Sequence, residues 1–201
     1  MNSISGQFLM ALVGLVVGLV TTSTSWAAKT VDKVPVRIGT YDSRSVAVAY
    51  AGSPKHEAEI IQFDEALKKA KKQGDTQQIK KADRAVWEFR HRTHRQAFGT
   101  WPVDDILKQY PKAVEQVKKN ANVTVLVSKW DKKTLAKYKD AEKVDVNEQL
   151  VDAMKPKKRQ RRSALGMGKH KPLGPKKLEE MLKHEAGKHY LPPPTEKKQE
   201  P

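Results

Sequence analysis

Six histidines and no cysteine bound what the side chains of this 201-residue chain could do chemically. Without a thiol there is no disulfide framework, no thiolate nucleophile, no Cys-ligated zinc and no cysteine for lipid attachment. His184-Glu185-Ala186-Gly187-Lys188-His189 has the residue types of a zinc-protease helix but not the spacing. That chemistry needs the second histidine four residues after the first, on the same helical face, and here it comes five after, with a glycine between. His91 and His94 lie three apart, so on one face of a helix, and an antiparallel partner helix would bring His56 towards them. Arg90, Arg92 and Arg95 surround that pair and would repel a cation, and a zinc site needs three or four ligands. No Ser-His-Asp arrangement, phosphate-cradling glycine loop or paired-carboxylate motif is present. The sequence therefore predicts no catalytic residue, no metal and no cofactor.

Charge is the stronger signal. There are 39 Lys and Arg against 23 Asp and Glu, a formal net charge of +16, which favours polyanions or acidic partners. Lys155, Lys157, Lys158, Arg159, Arg161 and Arg162 form the densest cluster, able to hold phosphates without sequence preference through counterion release. From Lys155 to Pro201 the chain carries 14 Lys and Arg against 5 Asp and Glu, with few large apolar residues, which predicts a mostly disordered tail. Pro175 followed by Leu178, Met181 and Leu182 allows one short amphipathic helix within it. A second group, Lys68, Lys69, Lys71, Lys72, Lys80 and Lys81, flanks the turn of a helical hairpin.

That hairpin spans Ser53 to Phe98. Ile60, Phe63, Leu67 and Ala70, then Ile79, Ala82, Val86 and Phe89, recur at spacings of three and four, the seam of a two-stranded antiparallel coil. Ser53-Pro54 supplies an N-cap and a first-turn proline, Gly74 a left-handed C-cap, and Asp75 with Gln78 a capping box for the return helix. Trp87 stands off the seam and is a candidate client-contact residue or a packing residue at the hairpin base. Gly99 to Pro102 interrupts the helix.

The flanks must supply a body. Val34, Val36, Ile38 and Thr40 alternate with polar or small residues and read as a half-buried strand. SVAVAYAGS is ambiguous between strand and helix, its alanines favouring helix. Asp104 and Asp105 suit a third helix that Pro111 kinks or restarts, ending at Asn120 to Asn122. Val123 to Val127 reads as a well-buried strand, Asp131 as the cap of a short KKTLAKY turn, Val144 to Val146 as a brief strand and Asn147 as the cap of EQLVDAMK. Phe8 to Val20 is an uncharged apolar run, shorter than the ~18 residues of a spanning helix, followed by Ser25-Trp26-Ala27. It predicts an export signal over residues 1–27 cleaved after Ala27, with an uncleaved anchor as the alternative.

The residues VRIGTYDSRSVAVAY (36–50) and VTVLVSKWDKKTLAKYKDAEKVDVNEQLVDAM (123–154), with the hairpin between them, give an order of elements that resembles the Skp/OmpH family of exported bacterial chaperones. The resemblance covers about residues 34–154. It implies an α+β fold, a small β body with a projecting coiled-coil arm, in a homotrimer whose arms enclose unfolded outer-membrane proteins in the periplasm without ATP. Residues 28–154 would be that domain and 155–201 the basic tail. Lys68, Lys69, Lys71, Lys72, Lys80, Lys81 and Trp87 would then touch the client. The competing expectation is an exported polyanion-binding or envelope-structural protein that holds anionic lipid or nucleic acid through the tail.

Overall fold

The computed structural model describes residues 36–189, so the expected signal at 1–27 lies outside the described residues. The fold is mixed, with many helices and a small parallel sheet. Three short strands, β1 (Arg37–Tyr41), β2 (Val125–Ser128) and β3 (Glu142–Asp145), lie in the order β2-β1-β3. Ile38 pairs with Val125 on one side and Lys143 on the other. Parallel strands need crossover connections, and here five helices lead from β1 to β2, and a short helix, α6 (Lys132–Lys137), leads from β2 across to β3 on the far side of β1.

α1 (Ser43–Ala51) resolves the ambiguous segment as a helix. Asp42 caps it, its carboxylate accepting from the Arg44 amide, and Gly52 ends it. Small and β-branched residues let other helices pack closely on it, with Ser43, Ser45, Val46, Ala47, Ala49 and Tyr50 all buried. α2 (Pro54–Gln73) and α3 (Thr76–Phe98) begin and end on the expected caps, Ser53, left-handed Gly74 at φ 67°, and Asp75, whose carboxylate accepts from the amides of Gln77 and Gln78. They pack on one another through Phe63 and Phe89, ring centroids 5.0 Å apart.

Proline at 111 restarts the third helix rather than kinking it, giving α4 (Asp104–Lys108) and α5 (Pro111–Ala121). Asn122, left-handed at φ 50°, closes α5. The second strand overlaps the apolar run that announced it but begins two residues later, and the third overlaps its run but begins two residues earlier. Val123 and Val146 pack as core side chains beside the strands, and Gly39 lets them approach, since a Cβ there would lie 3.2 Å from Val123, 3.0 Å from Val146 and 2.7 Å from Leu126. α7 (Asn147–Ala153) buries Leu150 and Val151, and Met154 follows it into the core.

The expectation of a mostly disordered tail is corrected. Residues 155–184 form α8 (Lys158–Gly166), a 3-10 turn (Met167–Lys169) and the start of α9 (Pro175–His189). α8 lies across α1, where Gly52 leaves room for Gln160: a Cβ on Gly52 would sit 2.4 Å from the Gln160 Cβ. Ala164 is fully buried beneath it. Composition misread this segment because one alanine and two leucines, Leu178 and Leu182, are enough to dock it when the receiving surface is already built. The core that three short strands lack is completed by this layer.

Candidate functional site

Two places gather side chains with chemical capacity. The first is the C-terminal end of the parallel sheet, where open α/β folds commonly bind ligands. Asp42, 2% exposed, follows β1 there and accepts from Arg44 at 2.8 Å, from Lys129 at 2.7 Å and from the Trp130 indole at 2.8 Å. Burial alone would raise its carboxyl, but these donors hold it down at about 2. Its amide donates to the Asn147 side chain at 3.0 Å, tying the ends of β1 and β3 together.

Arg44 is 1% exposed and fully engaged. Its guanidinium donates to Asp42, to the Met167 carbonyl at 3.0 Å and to the His170 carbonyl at 2.9 Å, and it lies 5.0 Å from the Trp130 ring. The C-terminal segment thus seals the sheet end, and the carboxylate occupies the place an anionic ligand would take. The arrangement is a clamp for the chain's own strap; nucleophilic or acid–base chemistry would need a carboxylate that is reachable and free of two cations.

The second place is the α2–α3 pair. Its base is fixed by a polar knot. The Tyr50 hydroxyl donates to the Glu59 carboxylate, Gln109 Nε2 donates to Glu59 and to Tyr50 Oη at 3.2 Å each, and Tyr110 Oη donates to Ser53 Oγ at 3.0 Å. Lys55 reaches the Gln109 carbonyl. His56 sits between Tyr50 and Phe89, ring centroids 5.2 and 5.3 Å away, and burial lowers its pKa against the opposing pull of Glu59. Above the base, cover is thin. Ala70 is the one buried residue of α2; Ile60, Phe63 and Leu67 are half-buried and Ile61 is 51% exposed.

The six lysines expected to touch client, Lys68, Lys69, Lys71, Lys72, Lys80 and Lys81, are all exposed and flank the Gly74 turn. Trp87 is separate from them. It is half-buried on the face of α3 away from the seam, stacked on His91 at 3.9 Å, its indole nitrogen buried without a hydrogen-bond partner. His56 faces the seam and His91 faces away from it, so they cannot share an ion. Among the described residues no group of three or more His, Asp or Glu could hold a metal, and no helix is long and apolar enough to cross a membrane.

The basic cluster divides. Arg161 is bound to Asp152 at 2.6 Å and Glu148 at 2.7 Å, which pulls the Asp152 carboxyl down, and Lys157 pairs with Glu57 at 3.0 Å. Lys155, Lys158, Arg159 and Arg162 are exposed on or beside α8. Asp42 by its sequence reads as no more than a turn or cap after the first strand, and Arg44 and Trp130 have no evident role there; a carboxylate directly after the first strand, matched by Lys-Trp directly after the second, is the available signal. No family model, curated protein or solved structure matches this chain.

Proposed function

We propose that this chain is an ATP-independent holdase of the Skp/OmpH kind, exported to the periplasm, which binds unfolded envelope and outer-membrane proteins as a homotrimer. The single observation that carries the reading is the α2–α3 pair. A 20-residue helix that buries one residue leaves an apolar seam half-covered, beside an end made positive by exposed lysines. Such a surface gains by covering apolar segments of another chain, about 25 cal/mol per Å² removed from water, while the lysines favour acidic stretches. Copies of the chain would cover the rest, since an isolated two-helix pair is marginal by itself. Nothing in this scheme needs a nucleotide.

The test dilutes a urea-unfolded outer-membrane β-barrel protein into buffer with and without the full chain, without ATP, and follows light scattering alongside the chain's mass in solution. Suppression by an oligomer is expected. A stable monomer that leaves aggregation unchanged ends the reading.

A second reading, polyanion binding, is favoured by one specific feature. α8 starts with Lys158 and Arg159, carries Arg162, and has no acidic residue in its first turn, where a helix favours negative charge. Because residues 155–184 are part of the fold, deleting them would confuse loss of binding with loss of structure. Lys158→Gln, Arg159→Gln and Arg162→Gln together should abolish salt-sensitive binding to anionic vesicles if this reading holds and leave holdase activity intact if the first does.

A further inference from the structure

The two C-terminal helices are held by very different means. α8 is fixed by buried contacts: the Lys157 amide donates to the Gly52 carbonyl at 3.0 Å, Gln160 fills the space over Gly52, Ala164 is fully buried, and Arg44 grips the turn that follows at two carbonyls. α9 has a sparser attachment. Leu173 donates its amide to the Phe98 carbonyl at 2.8 Å, a Leu178 methyl packs 2.9 Å from where a Gly99 Cβ would be, and Glu179 pairs with Arg95 at 2.8 Å, a bridge open to solvent. Leu182 completes the docking face. Between the two helices runs a Lys171-Pro172-Leu173-Gly174 link, and nothing crowds Gly174.

The surface under the start of α9 belongs to α3. Arg95 follows Trp87 and His91 at steps of four, so the three form one stripe on the face opposite the Phe63–Phe89 seam. At its Arg95 end the stripe offers a shallow apolar seat at Gly99, a guanidinium beside it and the Trp101 ring 4.8 Å from that guanidinium, with Trp101 itself 45% exposed. α9 fits this seat with an apolar residue, an acid directly after it and a second apolar residue one turn on. A client segment with the same pattern would fit it equally.

We propose that α9 is a displaceable occupant of this outer face of α3, and that an amphipathic, acid-bearing segment of an unfolded client competes with it for the Arg95–Gly99 seat. The inference rests on the holdase reading and adds to it a self-occupied surface: capture on this face requires α9 to lift, and the apparent affinity falls by the fraction of molecules in which it has lifted. α8 stays in place throughout, since releasing it would strip the carbonyl partners from buried Arg44.

The chain has no cysteine, so Phe98→Cys with Leu173→Cys, whose backbones are joined by a hydrogen bond at 2.8 Å, creates a unique pair that a short bifunctional thiol reagent can join to tether the start of α9 while leaving Arg95, Gly99 and Leu178 in place. Linked protein should suppress aggregation of the urea-unfolded barrel protein at least about tenfold less efficiently than the same variant unlinked. Leu178→Asp, which expels α9 without touching α8, should suppress it more efficiently than the wild-type chain. Hydrogen exchange over 175–184 reports release, and exchange over β1 reports that the body is intact. Equal suppression by linked and unlinked protein, or no gain from Leu178→Asp once α9 has lost protection, overturns the proposal and leaves the holdase reading standing. No suppression by the wild-type chain removes the reading and the proposal with it.

Discussion

α1 and α2 are consecutive helices with opposite fates. α1 buries seven of its nine residues, an arginine among them, whereas α2 buries one of twenty. The difference is not one of helix quality, for each has a side-chain N-cap and a glycine beyond its end. It lies in what surrounds them. α1 is enclosed by α3, α7 and α8; α2 has α3 and little else beyond its base. Stability is therefore concentrated in the body and unspent apolar surface in the pair, the division expected where binding elements are drawn from the less stable part of a fold.

The sharpest test of this division is Arg44→Ala. It leaves Asp42 buried with Lys129 and Trp130 but strips the carbonyls of Met167 and His170 of their donor, and breaking a buried pair costs about 3–5 kcal/mol. Urea denaturation should show the whole body weakened. A cost below 1 kcal/mol would mean that the clamp is ornamental and the contrast with α2 overstated. Gly52→Ala comes next, forcing a methyl into Gln160 at a cost of about 1–3 kcal/mol by overpacking. Gln160→Gly in the same chain should recover part of it, which a purely local helix effect would not allow.

Acid should separate the two regions. His56 has a lowered pKa in the folded chain, so its contribution is present above 6.5 and is lost as the pH falls through the folded value; Asp42 behaves likewise between 3.8 and about 2. Lowering the pH should first raise hydrogen exchange around His56 at the base of the pair and only below 3.8 reach β1. Simultaneous loss would make pair and body one cooperative unit. The smallest effect on stability is expected from Lys68, Lys69, Lys71, Lys72, Lys80 and Lys81 changed to glutamine, within about 0.5 kcal/mol each, as for exposed surface positions. Client capture at low salt should nevertheless weaken, and an unchanged scattering trace would move the binding surface away from the turn.

Local order is legible in the sequence. Ser53, Gly74, Asp75, Asp131 and Pro111 each act through a neighbour within four residues, so a single sequence exposes them. The strands were found but not their partners, because pairing a strand with one on either side is a property of distant segments. The clamp was hidden for a stronger reason. Arg44 reads as a surface residue, and what makes its burial tolerable is a pair of backbone carbonyls more than 120 residues later that no side-chain pattern announces. The same applies to the C-terminal helices, whose docking depends on the absence of a side chain at Gly52 and Gly99. At the candidate site, periodicity disclosed the seam and the lysines but could not say that the seam would stay half-covered.

The central place of β1 has a consequence for how the chain acquires its structure. Arg37 meets Thr124 across 87 residues and Glu142 across 105, so the sheet around the first strand cannot be completed until the last strand has arrived. Contacts of such long range close slowly, whereas α2 and α3 meet across a two-residue turn and can form on the microsecond scale of local helical structure. The half-covered pair is then finished before the body that gives it a foundation, and for that interval the pair's nearest apolar company is its own unfinished chain. Pulse-labelled hydrogen exchange during refolding should find α2 and α3 protected first and β1 last; the reverse order would show that the body directs the assembly.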